Sequence, residues 1–423
     1  MSRRFFLYGN GLSLFSGNLQ YNRGKPKYEM EFLFMPLTLN PRAEALRVSG
    51  IRQFFNQLVN YPDAINLTIG QPDFPTPEPV KEAGKAAISA NLTGYTHNAG
   101  LLELRQEIAA FFQDTYGLTY NPQTEIIATN GASEALDAVF RTILLEGDEV
   151  IIPAPCFAGY EPIVELNGGK PVLLDTSETG LVPTAEAIRA LVTEKTKAIL
   201  FNFPSNPTGV TLTKAQMEPL VEELSKYEIF VVTDEIYSEN TFAGTHASFA
   251  CFESIQDRTF LVHGLSKSHS MTGWRMGFLL GPEQYVQQVL KVHMYNTVCA
   301  SVPSQYAAIE ALKNNRDAPE VMNRAYRERC DFVYGKLVEM GLEVVKPKGA
   351  FYIFPSIAKY GMTSFEFATA LLKEGGVAAV PGSAFTKTGE GFLRISYAYS
   401  METLEEAMKR MGDWLKTLES KSK

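Results

Sequence analysis

The sequence predicts an α/β fold in which a mostly parallel sheet lies between layers of helices and joins a smaller α+β part. Three observations carry that expectation. From Glu125 onward, short apolar runs alternate with amphipathic stretches of helical length. The apolar runs contain few polar residues, as expected of strands covered on both faces. Past about Tyr285 the order changes to long helices, a short strand set and a final helix.

The elements follow in order. Pro72, Pro75, Pro77 and Pro79 mark the segment around Asp73 as a linker. Glu125–Thr129 reads as a strand and Ser133–Leu145 as a helix, with Ser133 a candidate N-cap. Glu149–Pro153 is a short apolar run bounded by Gly147-Asp148. Pro171–Leu174, Ala198–Phe203, Phe230–Thr233, Thr259–His263 and Met276–Leu280 repeat the strand pattern. Between them, Thr184–Val192 and Lys214–Lys226 read as helices. Helices are expected at Pro303–Lys313 and Pro319–Met340, then strands at Leu342–Val345, Phe351–Phe354, Val377–Val380 and Phe392–Tyr397. A last helix is expected from about Thr403 to Leu418. The chain is thus expected to divide into a large domain, residues 76–299, and a smaller one built from residues 30–75 and 300–423.

The bulk numbers set limits. A chain of 423 residues suits one large or two medium domains. The net charge of −8 makes nucleic acid an unfavoured partner. Cys156, Cys251, Cys299 and Cys330 form no CxxC pair, and the five histidines show no metal-binding spacing. No window has the apolar length needed to cross a bilayer. A reducing compartment fits, and a cytoplasmic location is expected. Residues 1–29 are basic and broken by Gly9, Asn10, Gly11, Ser13, Ser16 and Gly17. Arg3-Arg4 resembles the start of a twin-arginine signal, but no apolar core or cleavage site follows. A disordered leader or an over-extended start is expected there, with Met30 or Met35 as the natural first residue.

Ligands of such sheets bind beyond the carboxyl ends of the strands, so residues just after each strand carry the chemistry. Lys267 and Arg275 share the small-residue run Gly264–Gly277. An amine can bond covalently to a carbonyl, and a guanidinium can grip a phosphate with two prongs. Pyridoxal 5′-phosphate carries both groups. Asp234 ends an apolar run; it suits a protonated pyridine nitrogen, although a lone Asp there more often caps a turn. Tyr237, three residues on, either reaches the same cavity or is a core tyrosine with a wet tip. Asn206, in Pro204–Gly209, is a turn residue or a donor to a phenolic oxygen. Gly131-Ala132-Ser133 opens a helix and offers free N–H groups to an anion. Phe157 can stack on a flat ring or pack in the core. Arg394, between Leu393 and Ile395, must face away from them, toward solvent or toward a carboxylate in a cleft.

Taken together, these residues resemble the fold-type I, class I and II aminotransferases from about residue 35 to residue 418. The matching motifs are Ile69–Phe74, Tyr95-Thr96, Ser205–Gly209, Asp234–Tyr237, Ser266-Lys267, Arg275 and Leu393–Ser396. The resemblance implies the pyridoxal-phosphate-dependent transferase fold and a role for each position. Lys267 would hold the cofactor covalently and then carry the proton. Asp234 would bind the pyridine nitrogen, Asn206 and Tyr237 the phenolic oxygen, and Phe157 the ring face. Ala132, Ser133, Ser266 and Arg275 would take the phosphate. Tyr95 would reach the phosphate of a neighbouring subunit, implying a homodimer. Arg394 and the Gly70 backbone would take the substrate α-carboxylate, and Asn206 would also be substrate-binding.

Two positions depart from the family pattern. Phe157 stands where Tyr or Trp is common, and Glu134 follows Ser133 where many relatives have an amide. Within the family, Gly264–Gly277 and Lys348–Pro355 look most like the N-acetyl-L,L-diaminopimelate branch, alongside aspartate and aromatic aminotransferases. The implied reaction moves an amino group between an amino acid, with glutamate the candidate donor, and a 2-oxo acid. A cysteine-conjugate or cystathionine β-lyase is the alternative. Ile51, Tyr295, Asn296 and Phe351 are candidates for the side-chain pocket.

Overall fold

The computed structural model describes residues 37–46 and 50–421, excluding the side chains of residues 51–53 and 421. The expected leader, 1–29, and the alternative starts Met30 and Met35 lie outside the described residues. Contacts divide the chain into residues 1–45 and residues 46–423. In the first unit, the short helix Pro41–Ala45 follows Asn40, whose Oδ1 accepts from the Arg42 N–H at 3.0 Å.

The second unit holds the strands found among the described residues. In chain order they are β1 Ile65–Asn66, β2 Ile126–Thr129, β3 Glu149–Ala154, β4 Lys170–Asp175, β5 Thr196–Asn202, β6 Phe230–Asp234, β7 Thr259–Gly264, β8 Gly277–Leu280, β9 Tyr352–Ile353, β10 Val377–Ala378, β11 Val380–Pro381 and β12 Leu393–Ser396. Seven of them form one sheet in the order β2-β8-β7-β6-β5-β3-β4. Strand β8 runs antiparallel to both its neighbours, and the other pairings are parallel.

Alternate residues of these strands feed two cores. Ile151, Ile199, Phe201 and Val231 pack with Met217, Leu220 and Leu224 of the helix Lys214–Leu224. Val150, Ile152, Ala198, Leu200 and Val232 pack with Ala135, Val139 and Ile143 of the helix Ala132–Ile143. Each Val, Leu, Ile, Phe or Met side chain among them contributes about 1.5–3 kcal/mol by leaving water. Burial of both faces is why the runs are mostly apolar and do not alternate with polar residues.

The remaining strands are short. β1 pairs in parallel with β10, and β12 is flanked by antiparallel β11 and β9. Their core includes Phe351, Ile353, Leu393 and Ile395, packed with Tyr326, Leu371 and Met411 of the helices Ala318–Glu339, Ser364–Gly375 and Met401–Lys421. Two expectations fail here. Leu342–Val345 forms no strand. Leu342 is buried, but the segment's link to the strand set is the Ser356 N–H donating to the Glu343 carbonyl. The run Val377–Val380 breaks at Ala379 into β10 and β11, which join different sheets. No described helix is long and apolar enough to cross a membrane.

Candidate functional site

The parallel strands of the large sheet point their carboxyl ends to one side. Phe157 follows β3, Asn206 follows β5, Asp234 closes β6 and Lys267 follows β7. The turn Asn130-Gly131 follows β2 and opens the helix Ala132–Ile143. Because β8 runs the other way, it starts at this same side, which puts Arg275 two residues before it. The expected residues therefore converge through topology, although they are scattered in sequence. Gly70, Ala132, Ser133, Phe157, Asn206, Asp234, Tyr237, Ser266, Lys267, Arg275 and Arg394 all line one cavity of about 410 Å³. Tyr95 is not among them; it is 87% exposed.

Asp234 is buried, and both its oxygens have donors. Oδ2 accepts from the Tyr160 hydroxyl at 2.7 Å and Oδ1 from the Ile236 N–H at 3.2 Å. Burial pushes its carboxyl up to about 6, against the pull of those two donors and of Lys267. Lys267 is half-buried, open toward the cavity, and its amine donates to the Gly70 carbonyl at 2.7 Å. Burial lowers that amine to about 8; Arg394 and Arg275 act in the same direction and Asp234 opposes them. The amine also sits 5.7 Å from the Tyr237 ring centre and 5.9 Å from that of Phe351.

Arg394 is buried on β12, while Leu393 and Ile395 face the core on the other side of the strand. Its Nη2 donates to the Thr68 carbonyl at 2.6 Å and its Nη1 to Asn206 Oδ1 at 3.1 Å. Its Nε–H is buried without a protein acceptor. Such an orphan calls for an anionic ligand, because an unpaired buried donor is costly. Asn206 is held in turn by Asn202: the Asn206 N–H donates to Asn202 Oδ1 at 3.1 Å, and Asn202 Nδ2 donates to the Asp234 carbonyl at 2.9 Å. The Tyr237 hydroxyl meets that of Tyr352 at 2.9 Å. Burial, then Tyr352, holds the Tyr237 phenol well above its ordinary value, so it remains a proton donor.

The anion end rests on glycine. Gly131 has φ +83° and ψ 163°, and it is the residue that caps the helix. A Cβ there would run into the Arg275 guanidinium. Ser133 is therefore in the first turn and is not the N-cap the sequence suggested. The Ala132 and Ser133 N–H groups have no intrahelical acceptors and sit at the positive end of the helix. Arg275 donates from Nη1 to the Thr272 carbonyl at 3.0 Å. The departure at Glu134 also has a cause. Its carboxylate meets His293 Nδ1 at 3.0 Å and accepts from the Asn130 N–H at 3.2 Å, so it braces the loop.

Sequence reasoning missed Tyr160, Asn202 and Tyr352, and also Thr68, Ile69, Gln71, Leu136, Ile236 and Thr272, which line the cavity. Asn202 carried a usable signal, a polar residue closing an apolar strand just as Asp234 does. Tyr160 and Tyr352 carried none beyond proximity to Phe157 and Phe351. Of the suggested pocket residues, Tyr295 and Asn296 are exposed, Phe351 is in the core, and none of the three lines the cavity. The Ile51 side chain lies outside the described residues.

Comparison with known proteins agrees with this geometry. The model of the family "Aminotransferase class I and II" matches residues 62–411. The chain is 52% identical to the "Probable N-acetyl-LL-diaminopimelate aminotransferase" of Bacillus subtilis, over 88% of this chain and 94% of that protein. It superposes on the aromatic aminotransferase of Pyrococcus horikoshii with a TM-score of 0.82 at 43% identity, covering 86% and 99% of the two chains. With the aspartate aminotransferase of Thermus thermophilus, solved with maleate, the TM-score is 0.85 at 35% identity, covering 89% and 100%.

Proposed function

The chain belongs to the class I and II aminotransferases, and from that premise we propose that its cavity binds pyridoxal 5′-phosphate and that Lys267 carries the transferred proton. The reading rests above all on one observation: a half-buried amine lowered to about 8, a buried carboxylate and a buried arginine with an orphan donor share one cavity.

The donor set suits each end of the cofactor. Gly131, Ala132, Ser133, Ser266 and Arg275 would hold the phosphate. Asp234 would hold the ring nitrogen, Asn206 and Tyr237 the phenolic oxygen, and Phe157 the ring face. When bound, the cofactor would supply an aldehyde to receive the amino group and a ring to accept electrons. Asp234 would keep the ring nitrogen protonated. Lys267, released as a neutral amine, would remove the proton from the substrate α-carbon and return it on the other side of the amino nitrogen. Arg394 would orient the α-carboxylate, with the Gly70 backbone beside it. Tyr95, exposed on its own protomer, would complete the site of a second copy in a homodimer.

In the same reading, residues 76–299 form the cofactor-binding domain, and residues 30–75 with 300–423 the smaller one. For substrate, we favour glutamate as amino donor and the 2-oxo form of N-acetyl-L,L-diaminopimelate as acceptor, with aspartate and aromatic substrates next. The high identity to the Bacillus protein supports that order. The β-lyase alternative is not favoured, since the relatives cited are aminotransferases.

A half-reaction screen tests the reading. Purified protein loaded with pyridoxal phosphate is mixed with single amino acids, and loss of the bound-cofactor absorption is followed. Glutamate should convert the cofactor, and N-acyl amino-oxo-pimelate, oxaloacetate or an aromatic oxo acid should restore it. Release of pyruvate and ammonia from a cysteine conjugate with no oxo acid present would favour the lyase instead.

A further inference from the structure

The sequence reading assigned no role to Tyr352. Its position follows from the ladder of β9 and β12, where Tyr352 pairs with Ser396. Arg394 lies two residues from Ser396, so the Tyr352 and Arg394 side chains are diagonal neighbours on one sheet face. The Arg394 guanidinium sits 4.5 Å from the Tyr352 ring centre. The Tyr352 hydroxyl meets that of Tyr237 at 2.9 Å. A Cβ on Gly70 would come within 3.0 Å of the same hydroxyl, so nothing bulkier than glycine fits beside it without a shift. Tyr352 is fully buried and lines the cavity.

We propose that Tyr352 is a positioning residue with two separable functions: its hydroxyl fixes the direction of the Tyr237 proton, and its ring holds the Arg394 guanidinium flat for the carboxylate. The inference rests on the proposed reading of the cavity. A phenol has one proton. If Tyr237 gives its proton to the ligand's phenolic oxygen, it cannot also give it to Tyr352. The Tyr352 hydroxyl must then donate to Tyr237, and a donor bond into Tyr237 strengthens the one that Tyr237 makes. The ring contributes separately. A guanidinium over an aromatic face is held by the ring quadrupole and keeps its edge free for a planar carboxylate.

The two functions predict different variants. Tyr352→Phe removes the hydroxyl and keeps the ring. Affinity of the apoprotein for pyridoxal phosphate, read by equilibrium titration of absorption, should fall about three- to tenfold. Binding of 2-oxoglutarate to the apoprotein, read by calorimetry, should stay within twofold. Tyr352→Leu should weaken both, with 2-oxoglutarate binding down about three- to 30-fold. A cycle with Tyr237→Phe keeps the test decisive even if the leucine variant does not fold. Once Tyr237 cannot donate, loss of the Tyr352 hydroxyl should cost little more, and the double variant should match Tyr237→Phe alone. Additive losses in the cycle, or an unchanged cofactor affinity in Tyr352→Phe, would overturn the inference. Failure of the wild-type apoprotein to bind pyridoxal phosphate would instead overturn the reading of the cavity.

Discussion

The Tyr160 hydroxyl donates to Asp234 Oδ2 at 2.7 Å, and both groups are buried. This bond stabilises the carboxylate in a place where burial alone would protonate it. Tyr160→Phe should therefore raise the Asp234 carboxyl further above about 6. A bond to a charged group is worth about 1.5–3 kcal/mol, so in the apoprotein the Asp234 carboxyl should move up by about one to two units. The stability of the apoprotein moves consistently. The carboxyl is raised above its ordinary 3.8 on folding, so the folded state binds more protons between about 4 and about 6. Stability then falls as pH rises through that window. The variant should carry that fall above pH 6, visible in urea unfolding at stepped pH. A profile unchanged from wild type would show that Tyr160 does not bias Asp234.

Lys267 gives the opposite slope. Its amine is lowered from 10.5 to about 8, chiefly by burial. Between those values the unfolded chain binds the proton that the folded chain has released, so apoprotein stability should rise with pH from about 8 to about 10.5. Lys267→Met should remove that slope and abolish turnover without loss of fold. Covalent capture follows the same titration. About a tenth of the amine is neutral at pH 7 and about nine-tenths at pH 9. Borohydride trapping of pyridoxal phosphate at Lys267, quantified by peptide mass, should follow that curve. Capture that does not vary across this range would contradict the lowered amine.

The parts of the molecule that could be read from sequence were those where one physical pressure dominated. Burial on both faces makes the middles of strands β3, β5, β6 and β7 apolar, so they stand out, and a polar residue closing such a strand, like Asp234, stands out with them. The direction of β8 could not be read, because pairing partners leave no mark on a four-residue apolar run. Leu342–Val345 carries apolar residues at strand length yet finds no ladder partner, since pairing depends on neighbours distant in the chain. Tyr160 and Tyr352 were not found for a related reason. Each offers a hydroxyl whose partner lies 74 or 115 residues away in the chain.

A side chain at Gly131 should be destabilising. Its φ of +83° with ψ of 163° lies in a region that is essentially glycine's alone. A Cβ would also displace the Arg275 guanidinium, and Arg275 itself has φ +54°. Gly131→Ala should cost about 1–3 kcal/mol in apoprotein stability by thermal or urea unfolding. Its affinity for pyridoxal phosphate should fall more than its affinity for pyridoxal, which lacks the phosphate. Equal losses for the two would place the damage outside the anion end.

Arg394→Lys keeps the charge and loses the fork. The wild-type guanidinium divides its donors, with Nη1 to Asn206, Nη2 to the Thr68 carbonyl and Nε left over. A single ammonium cannot span those acceptors and still face a carboxylate edge-on. Amino-acid and oxo-acid KM should rise about ten- to 150-fold, the loss of one charge-assisted bond. Cofactor affinity should change much less, because Arg394 meets the site from the substrate side. Asn206→Ala separates the two contributions: it frees Nη1 but leaves the fork intact, so KM should change less than in Arg394→Lys while cofactor affinity falls. The reverse ranking, with KM hit harder by Asn206→Ala, would mean that Asn206 and not the arginine contacts the carboxylate.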